Sequence, residues 1–255
     1  MAPSPLSAGG PLSVSGVLVV IPARRGASRL PGKPLRDLAG LPMVVRTLRR
    51  AAQCRCADRV VVATDDDEIA DIVRSHGGEA VLTRTDHASG TDRVAEAVGA
   101  LGWTGLVINV QGDEPLIDPD TIDQLAAALA ADAGAGVATV AAPLAGDPRA
   151  TSVVKVVSDR QGRAVYFSRQ PIPTGGPWWH HIGLYGFRPA ALGWFARQPP
   201  GALERSERLE QLRFIEGGVP IRLVTVAHAA PSVDTPEDLE RVRRLLASQE
   251  EEDDA

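Results

Sequence analysis

The segment from Val17 to Leu35, VLVVIPARRGASRLPGKPL, carries the strongest structural signal in the chain. It begins with an unbroken run of β-branched and apolar residues, Val17 to Ile21, which predicts a strand buried on both faces of an α/β sheet. The loop that follows contains glycine and a cluster of cations: Arg24, Arg25, Arg29 and Lys33. Open α/β sheets bind anions at the carboxyl ends of their strands, so this loop predicts a site for several negative charges, as on a triphosphate. A solvated basic loop is the alternative.

Two common phosphate-binding motifs are absent from this turn. A P-loop has four residues between its first glycine and a Gly-Lys pair that is followed by Ser or Thr. Here five residues lie between Gly26 and Gly32, and Lys33 is followed by Pro34. The G-x-G-x-x-G fingerprint of dinucleotide-binding folds is also missing. The sequence therefore favours a different nucleotide site, in which side-chain cations hold the phosphates.

The segment IPARRGASRLPGKPL resembles the signature of the cytidylyltransferases that activate 2-keto-3-deoxy sugar acids, and most closely that of the 3-deoxy-manno-octulosonate cytidylyltransferase family. Sialate cytidylyltransferases have a related loop with Asn after the Gly-Lys pair, where this chain has Pro34. The resemblance implies an α/β fold, a three-layer Rossmann-like nucleotidyltransferase with a mixed central sheet. It also implies CTP as substrate and Mg²⁺ as cofactor. Arg24, Arg29 and Lys33 would contact the triphosphate, and Ala23 would belong to the nucleotide-binding residues.

A second buried strand, Leu106 to Val110, runs directly into the acidic segment QGDEP. Mg²⁺ prefers one or two carboxylates and fills its shell with phosphate oxygens and water, so a carboxylate at this strand end is well placed to hold it on a triphosphate. By chemistry alone either Asp113 or Glu114 could be that ligand, and an acidic helix start is the plain alternative. The resemblance assigns Asp113 to the metal and Gln111 to the nucleotide.

The motif SVDTPEDL near the carboxyl terminus allows two roles. Thr235 can cap the terminal helix and Pro236 suits its first position, which requires no enzyme. The cap has no need of Asp234, and the resemblance makes Asp234 the second Mg²⁺ ligand beside Asp113. The convergence of these two carboxylates follows from the resemblance and not from their spacing.

The segment TRTDHASGTDR, from Thr83 to Arg93, is too polar for a core and too rich in donors for an ordinary turn. A pyrimidine base needs a few fixed donors and acceptors at its edge, which such a segment can supply. The resemblance places four of its residues in the nucleoside pocket: Arg84, Ser89, Gly90 and Arg93. A cap by Ser89 or Thr91 on the following helix is the alternative, and both roles are compatible.

Two short strands, Val153 to Val157 and Ala164 to Phe167, flank a turn and predict a β-hairpin. The resemblance implies that this hairpin belongs to a dimerisation insert, about 152–183, and that the protein is a homodimer. Lys155 lies inside the first apolar strand. Burying an unpaired ammonium is costly, so we expect Lys155 to emerge at the site, near phosphate or sugar acid.

The remaining matches concern the acceptor sugar, which the resemblance gives to Arg169, His181, Tyr185, Glu210 and Gln211. A guanidinium matches a carboxylate in bidentate geometry, so Arg169 suits the acid group, and the other four would bind hydroxyls. Packing in a sheet is the alternative for His181 and Tyr185. Glu210 and Gln211 fall in a predicted amphipathic helix, Leu203 to Gly217, where solvated polar residues are common.

Composition limits the remaining possibilities. A net charge of −5 over 255 residues argues against a nucleic-acid partner. No apolar run approaches the roughly 18 residues of a membrane span, and no signal peptide is evident, which predicts a cytoplasmic protein without a membrane partner. The sequence predicts a disordered extension at 1–16, a cytidylyltransferase domain at 17–248 and an acidic tail at 249–255.

The implied reaction is CTP plus 3-deoxy-manno-octulosonate giving the CMP-sugar and pyrophosphate, a step of lipopolysaccharide biosynthesis. The chain departs from the family between Pro173 and His180, where only Thr174 to Trp179 intervene. This short loop leaves the identity of the sugar acid open, and two alternatives to the implied reaction remain. One is the same chemistry on sialate or an amino-octulosonate, and the other is a non-catalytic nucleotide-binding homologue.

Overall fold

The structure, a computed structural model, describes residues 16–26 and 30–253, with the backbone alone at 249–253. The extension predicted at 1–16, apart from Gly16, and the predicted site residue Arg29 lie outside these residues. The chain forms two compact units, each built from separate stretches. The first unit contains Leu18–Gly102, Asn109–Ile122 and the chain from Ala230 onward, and the second contains Trp103–Ile108 and Asp123–Ala229.

The strands are β1 (Val17–Ala23), β2 (Asp37–Leu38), β3 (Leu41–Pro42), β4 (Arg59–Thr64), β5 (Glu79–Leu82), β6 (Leu106–Asn109), β7 (Val137–Pro143), β8 (Lys155–Ser158), β9 (Ala164–Ser168), β10 (Trp179–Phe187) and β11 (Ile221–Thr225). The α-helices are α1 (Met43–Ala51), α2 (Asp67–Ser75), α3 (Gly90–Ala100), α4 (Pro119–Ala131), α5 (Pro189–Arg197), α6 (Ala202–Glu207), α7 (Leu212–Glu216) and α8 (Pro236–Asp253). No helix among the described residues is long and apolar enough to cross a membrane.

The first unit contains a parallel array of β1, β4 and β5. Within the apolar run of β1, Leu18 to Ile21 are fully buried at 0% exposure, as the unbroken pattern predicts, and Val17 is partly buried. In parallel strands the carboxyl ends share one edge, so the loops after β1 and β4 open on the same side.

The second unit contains strands in both parallel and antiparallel pairing. There β11 pairs with β7 in parallel, whereas β10 pairs with β7 and β8 in antiparallel register. β8 and β9 form the predicted hairpin. The predicted α/β architecture with a mixed sheet is confirmed, and the role of the hairpin in dimerisation stays a prediction.

The single helix predicted from Leu203 to Gly217 is wrong. The chain forms α6 and α7 instead, because Arg208 adopts a left-handed conformation with φ of 56° and ψ of 47°. This break lets Arg213 donate two hydrogen bonds to the Glu204 carboxylate, at 2.6 and 2.5 Å, in a buried ion pair. Residues nine apart do not face each other on one continuous helix, so the periodic pattern gave no sign of this contact.

The terminal helix begins as its sequence predicts. Thr235 Oγ1 accepts from the Asp238 amide at 3.2 Å, and Pro236 occupies the first turn. The helical backbone continues to Asp253, into the segment assigned to the acidic tail.

Candidate active site

The first unit brings both predicted metal ligands to one ammonium group. Lys33 Nζ lies 2.5 Å from Asp113 Oδ2 and 3.0 Å from Asp234 Oδ1, and the Lys33 side chain is only 13% exposed. Lys33 begins a short 3-10 helix, and it lies 80 positions from Asp113 and 201 positions from Asp234 in the sequence. The arrangement is a partly buried cation between two carboxylates, at the carboxyl end of β1.

Close backbone approach holds these loops together. The Val110 amide donates to Val20 O at 3.1 Å, and the Val233 amide donates to Asp113 O at 2.9 Å. At Gly112, an added Cβ would lie 2.9 Å from the Pro22 carbonyl oxygen, closer than real Cβ atoms come to backbone. The glycine in QGDEP is therefore required for the acidic loop to pass beside the end of β1.

The donor set at this point fits Mg²⁺. Two carboxylates that converge on one point are what Mg²⁺ uses when phosphates and water complete its shell. Lys33 stands in for the positive charge between the carboxylates here. A metal bound to both would compete with the ammonium, which could then turn to a phosphate.

Glu114, the alternative ligand, is poorly suited to that role. It is 7% exposed, and its Oε2 atom has no hydrogen-bond partner within the described structure. Burial, with a smaller contribution from Asp113, raises the pKa of Glu114 to about 8. A carboxyl group that stays protonated near neutral pH is a weak ligand for a hard cation, so the geometry favours Asp113.

The donor-rich segment after β5 lies beside the same strand end. A Cβ added to Gly90 would touch the Pro22 ring at 3.6 Å. Ser89 caps α3, with its Oγ accepting from the Asp92 amide at 3.1 Å. The cap anticipated as an alternative is therefore present, and it fixes Ser89 and Gly90 at a helix start, where backbone amides point outward.

Arg93 and Arg84 are both already bound to carboxylates of the protein. Arg93 is 3% exposed, and its guanidinium binds Asp65 Oδ2 at 2.8 Å and Thr83 Oγ1 at 2.5 Å. Arg84 is held by Glu96, which accepts from both its amide and its Nε and also pairs with His87. Sequence reasoning missed Asp65 and Glu96, because only the folded chain shows which carboxylate meets each cation.

The basic loop after β1 divides into paired and unpaired cations. Arg25 forms an ion pair with Glu68 and lies 3.6 Å from Asp66, the N-cap of α2. Arg24 is exposed and has no ion pair with the described residues, and it directly follows the buried Ala23. Gln111 follows the end of β6 and accepts from the Glu114 amide at 3.1 Å.

The second unit gathers the predicted acceptor residues around β10. His181 packs edge-on against Phe167 at 4.8 Å and lies 5.5 Å from the Tyr185 ring. Burial, with Glu210 adding to it, raises the pKa of Tyr185 well above its usual value, so its phenol remains a donor. Gln211 is 4% exposed, and its Nε2 has no hydrogen-bond partner among the described residues. A buried amide donor without a partner is available to a ligand hydroxyl.

The expectation that Lys155 emerges at the site is wrong. It is fully buried, and its Nζ donates to the carbonyls of Ala150, Val153 and Arg169 at 3.0, 2.8 and 2.6 Å. An ammonium has three donors, so backbone acceptors satisfy it completely.

Lys155 thereby holds Arg169 from one side. Glu207 holds the same residue from the other, because its Oε2 accepts from the Arg169 amide at 3.2 Å while its Oε1 accepts from Ser168 Oγ at 3.0 Å. The Arg169 guanidinium rests on Thr151 O at 3.0 Å and is partly exposed. Both neighbouring peptide groups of the predicted carboxylate-binding residue are thus fixed by charged side chains.

The stability of the protein should depend on pH through His181. Burial, with His180 adding to it, lowers the pKa of His181 from 6.5 to about 3. In the unfolded chain His181 becomes protonated below pH 6.5, whereas in the folded chain it stays neutral down to about pH 3. The free energy of unfolding should therefore fall as the pH drops from 6.5 to about 3. The slope contributed by one such group is about 1.4 kcal/mol per pH unit.

The measurement is urea unfolding of the wild type and of His181→Gln at several pH values between roughly 4 and 7. Most of this range lies between the unfolded and folded pKa values of His181. The variant should lose most of the acid-side slope. His228→Gln changes an exposed histidine and is the control. Its free energy of unfolding should depend on pH as that of the wild type does. Equal slopes in wild type and His181→Gln would show that His181 is not buried in its neutral form.

Comparisons with known proteins agree with this geometry. A family model described as cytidylyltransferase matches residues 18–221. Proteins named 3-deoxy-manno-octulosonate cytidylyltransferase from Nitrobacter hamburgensis and Azorhizobium caulinodans are each 52% identical to the chain, over 91% and 92% of it and 93% and 98% of their own length. A solved CMP:2-keto-3-deoxy-manno-octonic acid synthetase complexed with CTP superposes with a TM-score of 0.89 at 41% identity, covering 92% of this chain and all of that one.

A cytidylyltransferase from Leptospira borgpetersenii, 17% identical with a TM-score of 0.64, shares the fold. The predicted resemblance and nucleotidyltransferase fold are confirmed. The chain belongs to the cytidylyltransferase family, among relatives that are 3-deoxy-manno-octulosonate cytidylyltransferases.

Proposed function

We propose that this chain transfers the cytidylyl group of CTP to the anomeric hydroxyl of 3-deoxy-manno-octulosonate and releases pyrophosphate. The observation that carries the proposal is the meeting of Asp113 and Asp234 at Lys33. Two carboxylates and an ammonium at a strand end suit a metal-bound triphosphate better than any purely structural role. The names of the relatives identify the sugar acid.

In this proposal Asp113 and Asp234 hold Mg²⁺, which neutralises charge on the phosphates and the attacking oxygen when bound. Lys33, released from the carboxylates, contacts the triphosphate together with Arg24 and Arg29. Their positive charge stabilises the departing pyrophosphate, which carries the negative charge that develops as the bond to the α-phosphorus breaks. The protein contributes mainly positioning and electrostatic stabilisation, as is usual for phosphoryl transfer.

The nucleoside is held by the segment that follows β5 and by the loop after β6. Ser89 and Gly90 offer the helix start, and Arg84 belongs to the same segment. Ala23 ends β1, and Gln111 follows Val110, whose amide donates to Val20 O of that strand. Arg93 acts through its ion pair with Asp65, which fixes the segment, and not as a direct ligand.

The acceptor is held by residues of the second unit. Arg169 binds its carboxylate, and His181, Tyr185, Glu210 and Gln211 bind its hydroxyls. The proposal also includes a homodimer formed through the hairpin insert at about 152–183. Because CTP is an intracellular nucleotide, we place the enzyme in the cytoplasm.

The experiment is pyrophosphate release with CTP, Mg²⁺ and 3-deoxy-manno-octulosonate, with each component omitted in turn. Release that requires all three supports the proposal. If pyrophosphate is released only with sialate or an amino-octulosonate, the reaction is the proposed one but the acceptor is different. We would then attribute the change in acceptor specificity to the short loop at 174–179. CTP binding without turnover of any acid would favour the non-catalytic homologue.

A further inference from the structure

A buried threonine in β7 touches the ring of His181. Thr139 Oγ1 lies 3.0 Å from His181 Nε2, 2.9 Å from Leu184 O and 3.4 Å from Ile182 O. Thr139 is 0% exposed, so bulk solvent does not reach its hydroxyl. Sequence reasoning missed Thr139, although a polar residue within the apolar run VATVAA was a usable signal.

The Ile182 and Leu184 carbonyls lie in an irregular stretch of β10. Its register with β7 shifts between Ile182 and Tyr185, so one stretch of β10 has more residues than the facing part of β7. Such bulges disrupt the ladder and re-aim side chains, and they occur often beside active sites. The Thr139 hydroxyl fills this gap by bonding the Leu184 carbonyl, which ties His181 to the bulge.

The hydrogen-bond inventory fixes the direction of each bond. A hydroxyl has one proton and carbonyl oxygens can only accept, so Thr139 donates to Leu184 O. Its oxygen must then accept from His181 Nε2, which therefore carries the ring proton. The opposite arrangement would set the hydroxyl and carbonyl lone pairs against each other at 2.9 Å.

The second ring nitrogen is consequently an acceptor. A neutral imidazole has one protonated nitrogen, so a proton on Nε2 leaves a lone pair on Nδ1. Among the residues that the structure describes, Nδ1 has no hydrogen-bond partner. A nitrogen in this state can accept from a hydroxyl but cannot donate to a carboxylate or phosphate.

We propose that Thr139 is a positioning residue that holds His181 in the Nε2–H tautomer, so that Nδ1 accepts a hydrogen bond from a hydroxyl of the sugar acid. This inference rests on the proposed function for its ligand, whereas the tautomer itself is independent of it. It specifies that His181 accepts from the sugar acid through Nδ1 and does not donate a proton to it. It also makes Thr139 a determinant of acceptor affinity without direct contact with the sugar.

The first test is ¹⁵N NMR of the resting protein with labelled histidine, with the His181 signals identified by their loss in His181→Gln. We expect a protonated Nε2 and an unprotonated Nδ1. A protonated Nδ1 would overturn the proposal. On addition of the sugar acid the Nδ1 resonance should move, whereas CTP alone should leave it in place.

The second test is steady-state kinetics of Thr139→Val, which keeps the shape and removes the hydroxyl. We expect a roughly tenfold rise in the KM for the sugar acid, as lost hydrogen bonding to one group implies, with the KM for CTP unchanged. Thr139→Ser keeps the hydroxyl, and its KM for the sugar acid should equal that of the wild type. Thr225→Val, the same change at an exposed position of β11, is the control.

The outcomes separate the two claims. An unchanged KM for the sugar acid in folded Thr139→Val would overturn the positioning role. If Thr139→Val does not fold, the wild-type NMR titration and the Thr139→Ser kinetics still decide. If the wild type turns over no sugar acid, the proposed function fails, and the tautomer measurement alone decides the part of this inference that concerns Thr139 and His181.

Discussion

Replacement of Asp113 or Asp234 by Asn is expected to lower kcat for pyrophosphate release by roughly 10²–10³-fold, the usual effect of removing one group that stabilises transition-state charge. Each substitution keeps the size of the side chain and removes one of the two charges that meet at Lys33. Because both carboxylates serve one metal, the double variant should lose little more than either single variant. Raising Mg²⁺ should restore part of the activity of each single variant.

The matched control is Asp120→Asn. Asp120 follows Asp113 closely in the chain, but it is exposed and forms an ion pair with the exposed Arg55 at 3.0 Å. Exposed ion pairs contribute about 1 kcal/mol or less to stability, so this variant should fold and work as the wild type does. Full activity in Asp113→Asn, with the same dependence on Mg²⁺, would refute the metal role. Circular dichroism of all three variants checks that the loss is not one of folding.

The buried strands could be predicted from the sequence because their pattern is local. β1 and β4 are covered on both faces, so they appear as continuous apolar runs whatever lies next to them. The caps at Ser89 and Thr235 are local for the same reason, since a cap bonds an amide only three residues away. Such features require no knowledge of distant contacts.

The meeting of Asp113 and Asp234 is different, because it depends on long-range packing. Their spacing along the chain carries no information, and it was the resemblance to a family that brought them together. The structure supplies two physical reasons: Gly112 approaches the Pro22 carbonyl closely, and the Val233 amide donates to Asp113 O at 2.9 Å. The sequence shows that the acidic loop contains a glycine, which indicates a close backbone approach. It does not show which strand the glycine approaches.

The errors have the same origin. The expectation for Lys155 correctly held that an unpaired buried ammonium is costly, yet its partners are backbone carbonyls, which every sequence contains and none reveals. The pattern from Leu203 to Gly217 fits one helix, but the buried pair between Glu204 and Arg213 stabilises a break that local periodicity cannot show. In both cases a tertiary contact overrode a sound local argument.

Lys33→Met is expected to have two opposite effects, which together separate the roles of this residue. The KM for CTP should rise and kcat fall, with a combined loss in kcat/KM of roughly 10²-fold or more, because one charge-assisted contact to the triphosphate disappears. The affinity of the nucleotide-free protein for a divalent cation should increase. In the resting protein the ammonium occupies the space between the two carboxylates, at 2.5 and 3.0 Å, and competes with any metal there.

Binding of Mn²⁺ in the absence of CTP, measured by electron paramagnetic resonance, tests the second effect without any turnover. We expect Lys33→Met to bind Mn²⁺ at least about tenfold more tightly than the wild type, since removing a neighbouring positive charge favours a cation by more than 1.4 kcal/mol when the groups are partly buried. Arg49→Met removes an exposed cation from α1 and controls for net charge. Asp113→Asn should bind Mn²⁺ more weakly than the wild type. If Lys33→Met bound Mn²⁺ no better than Arg49→Met, the carboxylates would not be the metal site, and Lys33 would serve only to hold the two loops together.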